Sequence, residues 1–329
     1  MSELHKFLFD GLPVRGVVVR LTQAWTEILR RRASNSETGA YPPAVRDMLG
    51  EMTAAATLMQ ANIKFDGTLV LQVFGAGSVT LAVAEVQADL ALRATATTRA
   101  AVPDGASLSS MVNLHGQGRC AITLDPRTKF PGQQPYQGVV PLTDANGHAL
   151  DRFSDVLQHY MLQSEQLDTT LVLAANEHVA AGLLIQRLPL AGAGNLAGSM
   201  VSRESEAQIG RNEDYNRIAM LASSLKREEL LTLDVDTLLR RLFWEEPLTR
   251  FVPLMGADGP RFQCNCSRER VGKMIVGLGQ DEVAEILAER GEIEVACEFC
   301  GLQYRFDPVD SAALFVDPLQ RGSVGGVAH

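Results

Sequence analysis

The sequence predicts an α+β protein with three parts: a layered amino-terminal sheet-and-helix domain, a helical linker and a small four-cysteine carboxy-terminal domain. Strand-like runs come at hairpin spacing in the first half of the chain, and helical patterns are grouped apart from them. A highly charged stretch follows that keeps apolar residues at helical spacing. Four of the five cysteines then fall within the last 66 residues. These observations place the predicted domain limits near 190, 250 and 310.

The first domain, residues 1–190, is predicted to contain antiparallel strands. Residues 69–73 and 79–83 are rich in β-branched and aliphatic side chains, and the glycine-containing segment 74–78 between them has hairpin length. Further strands are predicted at 17–21, 90–97, 120–124, 138–142, 169–173 and 182–188. Hairpin spacing of this kind favours an α+β domain over a regular βαβ array.

Two helices are predicted between these strands. Pro42 and Pro43 precede a long alanine- and methionine-rich stretch at 44–62, and proline is common in the first turn of a helix. Residues 150–163 carry apolar side chains at a spacing of 3.6 residues, which is typical of an amphipathic helix.

The predicted linker, residues 191–250, begins with a glycine-rich hinge at 191–198. Charged residues make up 18 of the 50 residues from 201 to 250, yet apolar residues recur at helical spacing. Such helices have thin apolar stripes and are marginal in isolation, so they need a surface on which to dock.

Composition excludes several classes of function. The chain has 30 Lys and Arg against 39 Asp and Glu, a net charge of −9, which disfavours general binding to nucleic acid. Its apolar stretches are too short to cross a bilayer, and its first residues do not resemble a secretory signal. We therefore expect a cytoplasmic protein without a membrane partner. No phosphate-binding loop of an ATPase is present, so no ATP-driven cycle is expected.

The clustered cysteines predict a metal site in the domain at 251–310, followed by a tail at 311–329. Cys264 and Cys266 leave one face of an extended segment, and Cys297, Cys300 and Gly301 form a Cys-x-x-Cys-Gly turn that points two sulfurs at one centre. Four thiolates can complete a tetrahedral Zn(II) site with no open position. The candidate metal ligands are therefore Cys264, Cys266, Cys297 and Cys300.

The same four residues leave several interpretations open. One is a purely structural zinc ribbon, and another is a redox switch in which each pair holds an attacked sulfur next to a resolving one. An enzyme is a third: a thiol–disulfide oxidoreductase that uses Cys297 and Cys300. A nucleic-acid-binding zinc ribbon is weaker, because acidic residues outnumber basic ones between 261 and 306. Cys120 is interpreted as a small buried side chain, and nothing places His115 beside it.

Five segments, which extend over most of the chain, carry a resemblance to a known family: residues 136–142 (YQGVVPL), 160–166 (YMLQSEQ), 238–246 (LLRRLFWEE), 264–270 (CNCSRER) and 297–301 (CEFCG). Through these segments the chain resembles the 33 kDa chaperonin family, the redox-regulated heat-shock holdases of bacteria.

That resemblance implies a chaperone rather than an enzyme. The reduced, zinc-bound form would be inactive, and hypochlorous acid, or peroxide with heat, would form the disulfides Cys264–Cys266 and Cys297–Cys300 and release the zinc. The carboxy-terminal domain and linker would then unfold, and the protein would dimerise. Unfolding client proteins would be held without ATP until ATP-dependent chaperones refold them.

Overall fold

The computed structural model describes residues 1–35, 38–130, 132–188, 210 and 212–315. The chain divides into two compact units, the first from Met1 to Gln263 and the second beginning at Cys264. The glycine-rich hinge predicted at 191–198 and residues 316–329 of the predicted tail lie outside the described residues. The domain limits near 190, 250 and 310 remain predictions.

Six strands of the first unit form sheet A, which is antiparallel throughout. They are β1 (Glu3–Phe9), β2 (Val14–Leu21), β8 (Thr169–Ala175), β9 (Ala180–Arg187), β10 (Leu248–Arg250) and β11 (Leu254–Met255). Their order is β10-β1-β2-β9-β8, and β11 pairs with the other end of β1. Every residue of β9 is buried, because side chains on both of its faces are covered.

Six further strands form sheet B. They are β3 (Gly67–Phe74), β4 (Val79–Gln87), β5 (Ala91–Thr98), β6 (Arg119–Pro126), β7 (Tyr136–Pro141) and β12 (Arg261–Phe262). Their order is β12-β5-β4-β3-β6-β7, and β12 alone pairs in parallel, with β5. The β3–β4 hairpin is the one predicted from its two β-rich runs and the glycine-containing turn between them.

Helix α2 (Pro43–Asn62) contacts strands of both sheets and is buried on most of its surface. Its middle is a run of small residues, and an added Cβ at Gly50 would come within 2.4 Å of the Ala175 side chain on β8. The small side chains therefore let the helix pack closely against sheet A. One continuous apolar core joins both sheets to α2. Three other helices complete this part of the unit: α1 (Gln23–Ala33), α3 (Leu108–Val112) and α4 (Phe153–Gln163).

A second apolar core lies on the other side of sheet A, which we call its outer face. The strands contribute Phe7, Phe9, Val14, Val18, Ala174, Ala181, Leu183 and Ile185. Three helices cover this face: α5 (Glu213–Ser223), α6 (Arg227–Thr232) and α7 (Val235–Phe243). These covering helices are the charged, amphipathic segments whose docking surface the sequence left unidentified.

A set of specific contacts holds the covering helices in place. Phe243 of α7 lies edge-on to Phe9, with ring centroids 5.0 Å apart. Arg20 of β2 donates to the Leu230 and Leu231 carbonyl oxygens at 2.7 and 3.1 Å, which satisfies the end of α6.

Polar contacts also anchor α5 and α6 to the rest of the first unit. The Tyr215 hydroxyl of α5 lies 2.9 Å from the Thr170 hydroxyl of β8. Arg227 forms ion pairs with Asp47 at 2.8 Å and Glu51 at 3.5 Å on α2. Each contact is modest alone, so the apolar burial beneath the helices supplies most of their stability.

The second unit contains α8 (Arg268–Leu278), α9 (Gln280–Arg290), a hairpin and α10 (Pro308–Leu314). The hairpin pairs β13 (Ile293–Ala296) with β14 (Gln303–Phe306). Helix α9 ends at Gly291, which adopts a left-handed conformation with a φ of +79°. The core is small, and the buried side chains that form it are Ile275, Val283, Ile293, Tyr304 and Phe306. A core of this size supplies little stability without a further constraint.

The predicted α+β class is confirmed, and the predicted strands and helices of the first 190 residues are present with shifts of a few residues at their ends. Sequence patterns missed β1, α1, α3 and the short strands β10 and β11. None of the helices in the described part of the chain combines the length and apolar character that a membrane span requires.

Replacement of Phe243, 2% exposed, by alanine is expected to loosen the covering helices and destabilise the reduced protein by about 3 to 5 kcal/mol. Urea unfolding followed by circular dichroism measures the loss, and binding of the dye ANS reports the exposed outer face. The matched control is Met220→Ala on α5, where the side chain is 74% exposed and the expected change is within about 0.5 kcal/mol. Equal effects of the two substitutions would contradict the assigned packing.

Candidate metal centre

The structure brings the four cysteines of the second unit together. The Sγ atoms of Cys264 and Cys297 lie 3.7 Å apart, and those of Cys266 and Cys300 lie 3.3 Å apart. All four sulfurs fall within 4.8 Å of one another, and each cysteine is a free thiol. In the part of the chain that the structure describes, no other grouping of three or more metal-ligating side chains occurs.

The second pair lies in the turn that joins β13 to β14. The Cys297 N–H donates to the Leu302 carbonyl at 2.9 Å, and the Gly301 N–H donates to the Cys297 carbonyl at 2.7 Å. Gly301 adopts a φ of +69°, a conformation that side-chain-bearing residues rarely adopt. The turn therefore directs both sulfurs toward one point, which is the geometry that the Cys-x-x-Cys-Gly spacing predicts.

The first pair lies directly before α8. The Ser267 side chain accepts a hydrogen bond from the Arg270 N–H and so caps the helix. Arg270 in turn donates to the Asn265 carbonyl between the two cysteines at 2.9 Å. These contacts fix the short segment so that both of its sulfurs face the second pair.

Burial and hydrogen bonding act in opposite directions on the thiols of the second pair. Burial raises the pKa of Cys297, while the backbone N–H groups of Cys300 and Phe299 favour its thiolate. Burial likewise raises the pKa of Cys300, against one N–H donor from Leu302. In the absence of a metal these sulfurs therefore keep their protons, and a cation must displace the protons when it binds.

The tyrosine Tyr304 contributes a further contact that sequence patterns did not identify. Its side chain is buried in the small core against which Cys266 and Cys297 also pack, and the nearby Cys266 sulfur is the main reason that the pKa of Tyr304 is raised. Contacts from residues outside the ligand set orient metal ligands and tune their basicity. The alternation of polar and aromatic residues in Gln303–Phe306 could have identified Tyr304, since every second residue of β14 faces the core and the sulfurs.

Arg268 ties the elements around the sulfurs to one another. It donates to the Arg305 carbonyl of β14 and to the Asp310 carboxylate of α10, both at 2.6 Å. Its guanidinium also lies 4.2 Å from the centre of the Phe306 ring. One side chain thus links α8, the hairpin and α10. From the sequence alone, Arg268 could not be distinguished from an ordinary charged surface residue.

The donor set matches a four-coordinate site for a soft or borderline metal. In a regular tetrahedron with metal–sulfur bonds of about 2.3 Å, the sulfurs are about 3.8 Å apart. The two close pairs are near that spacing, and all four donors are sulfur. Four protein ligands leave no position for water or substrate, so the chemistry of the centre is that of a structural or redox site.

The remaining candidates from the sequence do not join this centre. Cys120 lies on β6 with no exposed surface, and burial raises its pKa to about 12. Its thiol is therefore unreactive at neutral pH, as expected for a small buried side chain. His115 is exposed in a 3₁₀ turn, Leu114–Gly116, so the two do not form a nucleophile and base.

Comparison with known proteins agrees with the resemblance seen in the sequence. The family model described as "Hsp33 protein" matches residues 2–307. The chain is 42% identical to the 33 kDa chaperonin of Chromobacterium violaceum, over 95% of this chain and 94% of that protein. It is 40% identical to the 33 kDa chaperonin of Methylobacillus flagellatus, again over 95% and 94% of the two chains.

A solved structure has the same fold. The 33 kDa chaperonin (heat shock protein 33 homolog) of Thermotoga maritima superposes with a TM-score of 0.69 and 18% sequence identity, covering 95% of this chain and 98% of that chain. The four-cysteine cluster, the family model and the relatives lead to one conclusion: this chain belongs to the Hsp33 family of chaperones and carries a four-cysteine cluster in its carboxy-terminal unit.

Proposed function

We propose that this protein is a redox-regulated, ATP-independent holdase that binds one Zn(II) ion through Cys264, Cys266, Cys297 and Cys300 while reduced. The single observation that carries the proposal is the convergence of four thiols in a unit whose own core is small. A bound Zn(II) would cross-link the four thiolates and supply much of the folding free energy of that unit.

Oxidation would turn this stabilising centre into two disulfides, Cys264–Cys266 and Cys297–Cys300. Each disulfide forms from two thiolates and gives up two electrons, which hypochlorous acid accepts as it becomes chloride and hydroxide. Disulfide sulfurs no longer act as thiolate ligands, so the zinc leaves. The close sulfur pairs run across the two motifs, at 3.7 and 3.3 Å, so disulfides within each motif require the turn and the segment to rearrange.

Rearrangement of the second unit would act on the segment that precedes it. Only Gln263 separates β12 from Cys264. Strand β12 in turn follows the covering helices and β10 along the chain. The covering helices depend on apolar packing to sheet A, because each of their polar anchors is weak. Their release would expose the outer face, including Phe7, Phe9 and Leu183, as an apolar surface for unfolded clients.

The remaining parts of the proposal follow the family resemblance. The oxidised protein would form a homodimer in the cytoplasm and pass clients to ATP-dependent refolding chaperones. Residues 191–250 would act as the conditional linker, residues 251–310 as the zinc-binding redox switch and residues 311–329 as a tail. No enzymatic activity, nucleic acid or membrane belongs to this proposal.

The alternative is a thiol–disulfide oxidoreductase that uses Cys297 and Cys300. Catalytic thiols of that class are accessible and have lowered pKa values. Here Cys300 is 8% exposed, and burial raises the pKa of both thiols. These properties favour a switch over a catalyst, and an insulin-reduction assay separates the two because only a catalyst turns over many disulfides per chain.

The redox proposal is tested by following zinc release and client aggregation in the same samples. We expect the reduced, zinc-loaded protein to leave light scattering by a thermally unfolding client enzyme almost unchanged. Treatment with hypochlorous acid should release about one zinc ion per chain, the capacity of one four-thiolate site, and give near-stoichiometric suppression of scattering without ATP.

Two outcomes would overturn that proposal. Equal suppression by the reduced and oxidised forms would remove the switch, and disulfide mapping that finds Cys264 joined to Cys297 would contradict the proposed pairing.

Metal binding is tested by substitution of one proposed ligand. Cys264→Ser should weaken zinc binding by more than about 100-fold, the largest effect usual for an outer-sphere partner, and should destabilise the second unit. Competition with a chromogenic chelator measures the affinity. The matched control is Cys120→Ala, which removes the thiol that lies away from the cluster and should keep full zinc content. Unchanged zinc content in Cys264→Ser would remove this residue from the ligand set.

A further inference from the structure

A cavity of about 140 Å³ lies inside the first unit, at the carboxy-terminal end of α2. Both sheets and two helices contribute to its walls. The apolar lining consists of Met59, Ile63, Leu69, Ile122, Leu124, Met161, Leu167 and Leu184. An engineered cavity of about 150 Å³ with similar walls binds benzene, so this space suits a group of about six carbon atoms.

One end of the cavity carries a guanidinium with a neutral partner. Arg15 of β2 lines the cavity, and its Nε donates to the Gln186 Oε1 atom at 3.1 Å. Gln186 is 2% exposed and also accepts from Asn62 at 3.3 Å. No carboxylate oxygen among the described residues lies within 4.0 Å of Arg15, so its charge is paired only with an amide dipole.

A second cation strengthens the positive field at this end. Lys6 of β1 donates to the Ala61 carbonyl in the last turn of α2, at 2.5 Å. Lys6 pairs with Val17 across β1 and β2, two residues from Arg15, so the two cations lie on the same face of sheet A. Burial, and then the Arg15 charge, lower the pKa of Lys6. Like Arg15, Lys6 has no carboxylate within 4.0 Å in the described part of the chain. The cavity therefore has a cation in its wall, Arg15, and a second cation, Lys6, lies on the same face of the sheet.

The acidic group in the cavity is already hydrogen-bonded. Glu165 accepts from the Tyr136 hydroxyl at 3.2 Å and from the Tyr160 hydroxyl through the same oxygen, Oε1. Burial, and then the hydrogen bond to Glu165, raise the pKa of Tyr160, so this hydroxyl keeps its proton and remains a donor. Glu165 thus has two neutral donors of its own, and it forms no ion pair with Arg15.

We propose that this cavity binds a small organic carboxylate with an apolar tail of about six carbons. The carboxylate would pair with the Arg15 guanidinium, which offers a planar fork of N–H donors suited to a carboxylate. The tail would fill the space between Met59, Ile122 and Leu184. The site is separate from the cysteine cluster, and its ligand is distinct from a protein client.

Isothermal titration calorimetry of the reduced, full-length protein with straight-chain carboxylates from acetate to decanoate tests this site. Each added methylene should tighten binding by about fourfold, since burial of one methylene contributes about 0.8 kcal/mol. The gain should stop near six carbons, when the cavity is full, with one ligand bound per chain. Hexanol should bind at least about tenfold more weakly than hexanoate because it lacks the charge.

Variants assign the binding to the cavity. Arg15→Met should reduce hexanoate affinity to that of hexanol, whereas Arg15→Lys should retain a preference for the acid. Met59→Phe should abolish binding of both by filling the space, with circular dichroism confirming that each variant is folded.

Three results would overturn the proposal: no binding of hexanoate at millimolar concentration, equal binding by Arg15→Met, or tighter binding of hexylammonium than of hexanoate. The last would mean that Glu165 controls the site. None of these results bears on the redox proposal, because the readout is independent of zinc and of client aggregation.

Discussion

The structure depends on the apolar character of both faces of sheet A. One face packs on α2 and the core shared with sheet B, while the outer face carries Phe7, Phe9 and Leu183, which cannot remain in water without cost. The covering helices meet that requirement in the described structure. These helices are charged and short, and their apolar stripes are narrow. They would therefore be only marginally stable without sheet A beneath them. An apolar face beneath such helices suits a chaperone family, because it is a surface to which unfolded proteins could bind.

The four-cysteine cluster belongs to the second unit. The stability of that unit would depend on whether the four sulfurs bind a metal or form disulfides. Few residues form the core of the second unit, and Arg268 and Tyr304 connect that core to the sulfurs. A metal would hold the cluster closed, whereas disulfides would remove its ligands. The covering helices and the cluster belong to one continuous chain, with β10, β11 and β12 between them. We infer that the redox state of the cluster controls the cover, and through it the outer face.

Local patterns in the sequence predicted most of this architecture. The spacing of Cys297, Cys300 and Gly301 defines its own turn, and the β3–β4 hairpin and α2 carry strong local signals. Non-local features were beyond reach. The helix α7 was recognisable as amphipathic, but its partner, sheet A, is formed by strands distant in sequence. Strand β1 lacks clean alternation because both of its faces pack, and the parallel pairing of β12 with β5 joins segments that are distant in sequence. The cavity beside Arg15 likewise depends on several distant segments.

Hydrogen–deuterium exchange across the redox transition tests the central claim most directly. The amides of residues 213–243 should lose protection as oxidation releases the zinc, while those of α2 and β9, in the shared core, should remain protected. Unchanged protection of residues 213–243 in an oxidised, zinc-free protein that holds clients would contradict the account, since the outer face of sheet A would then still be covered.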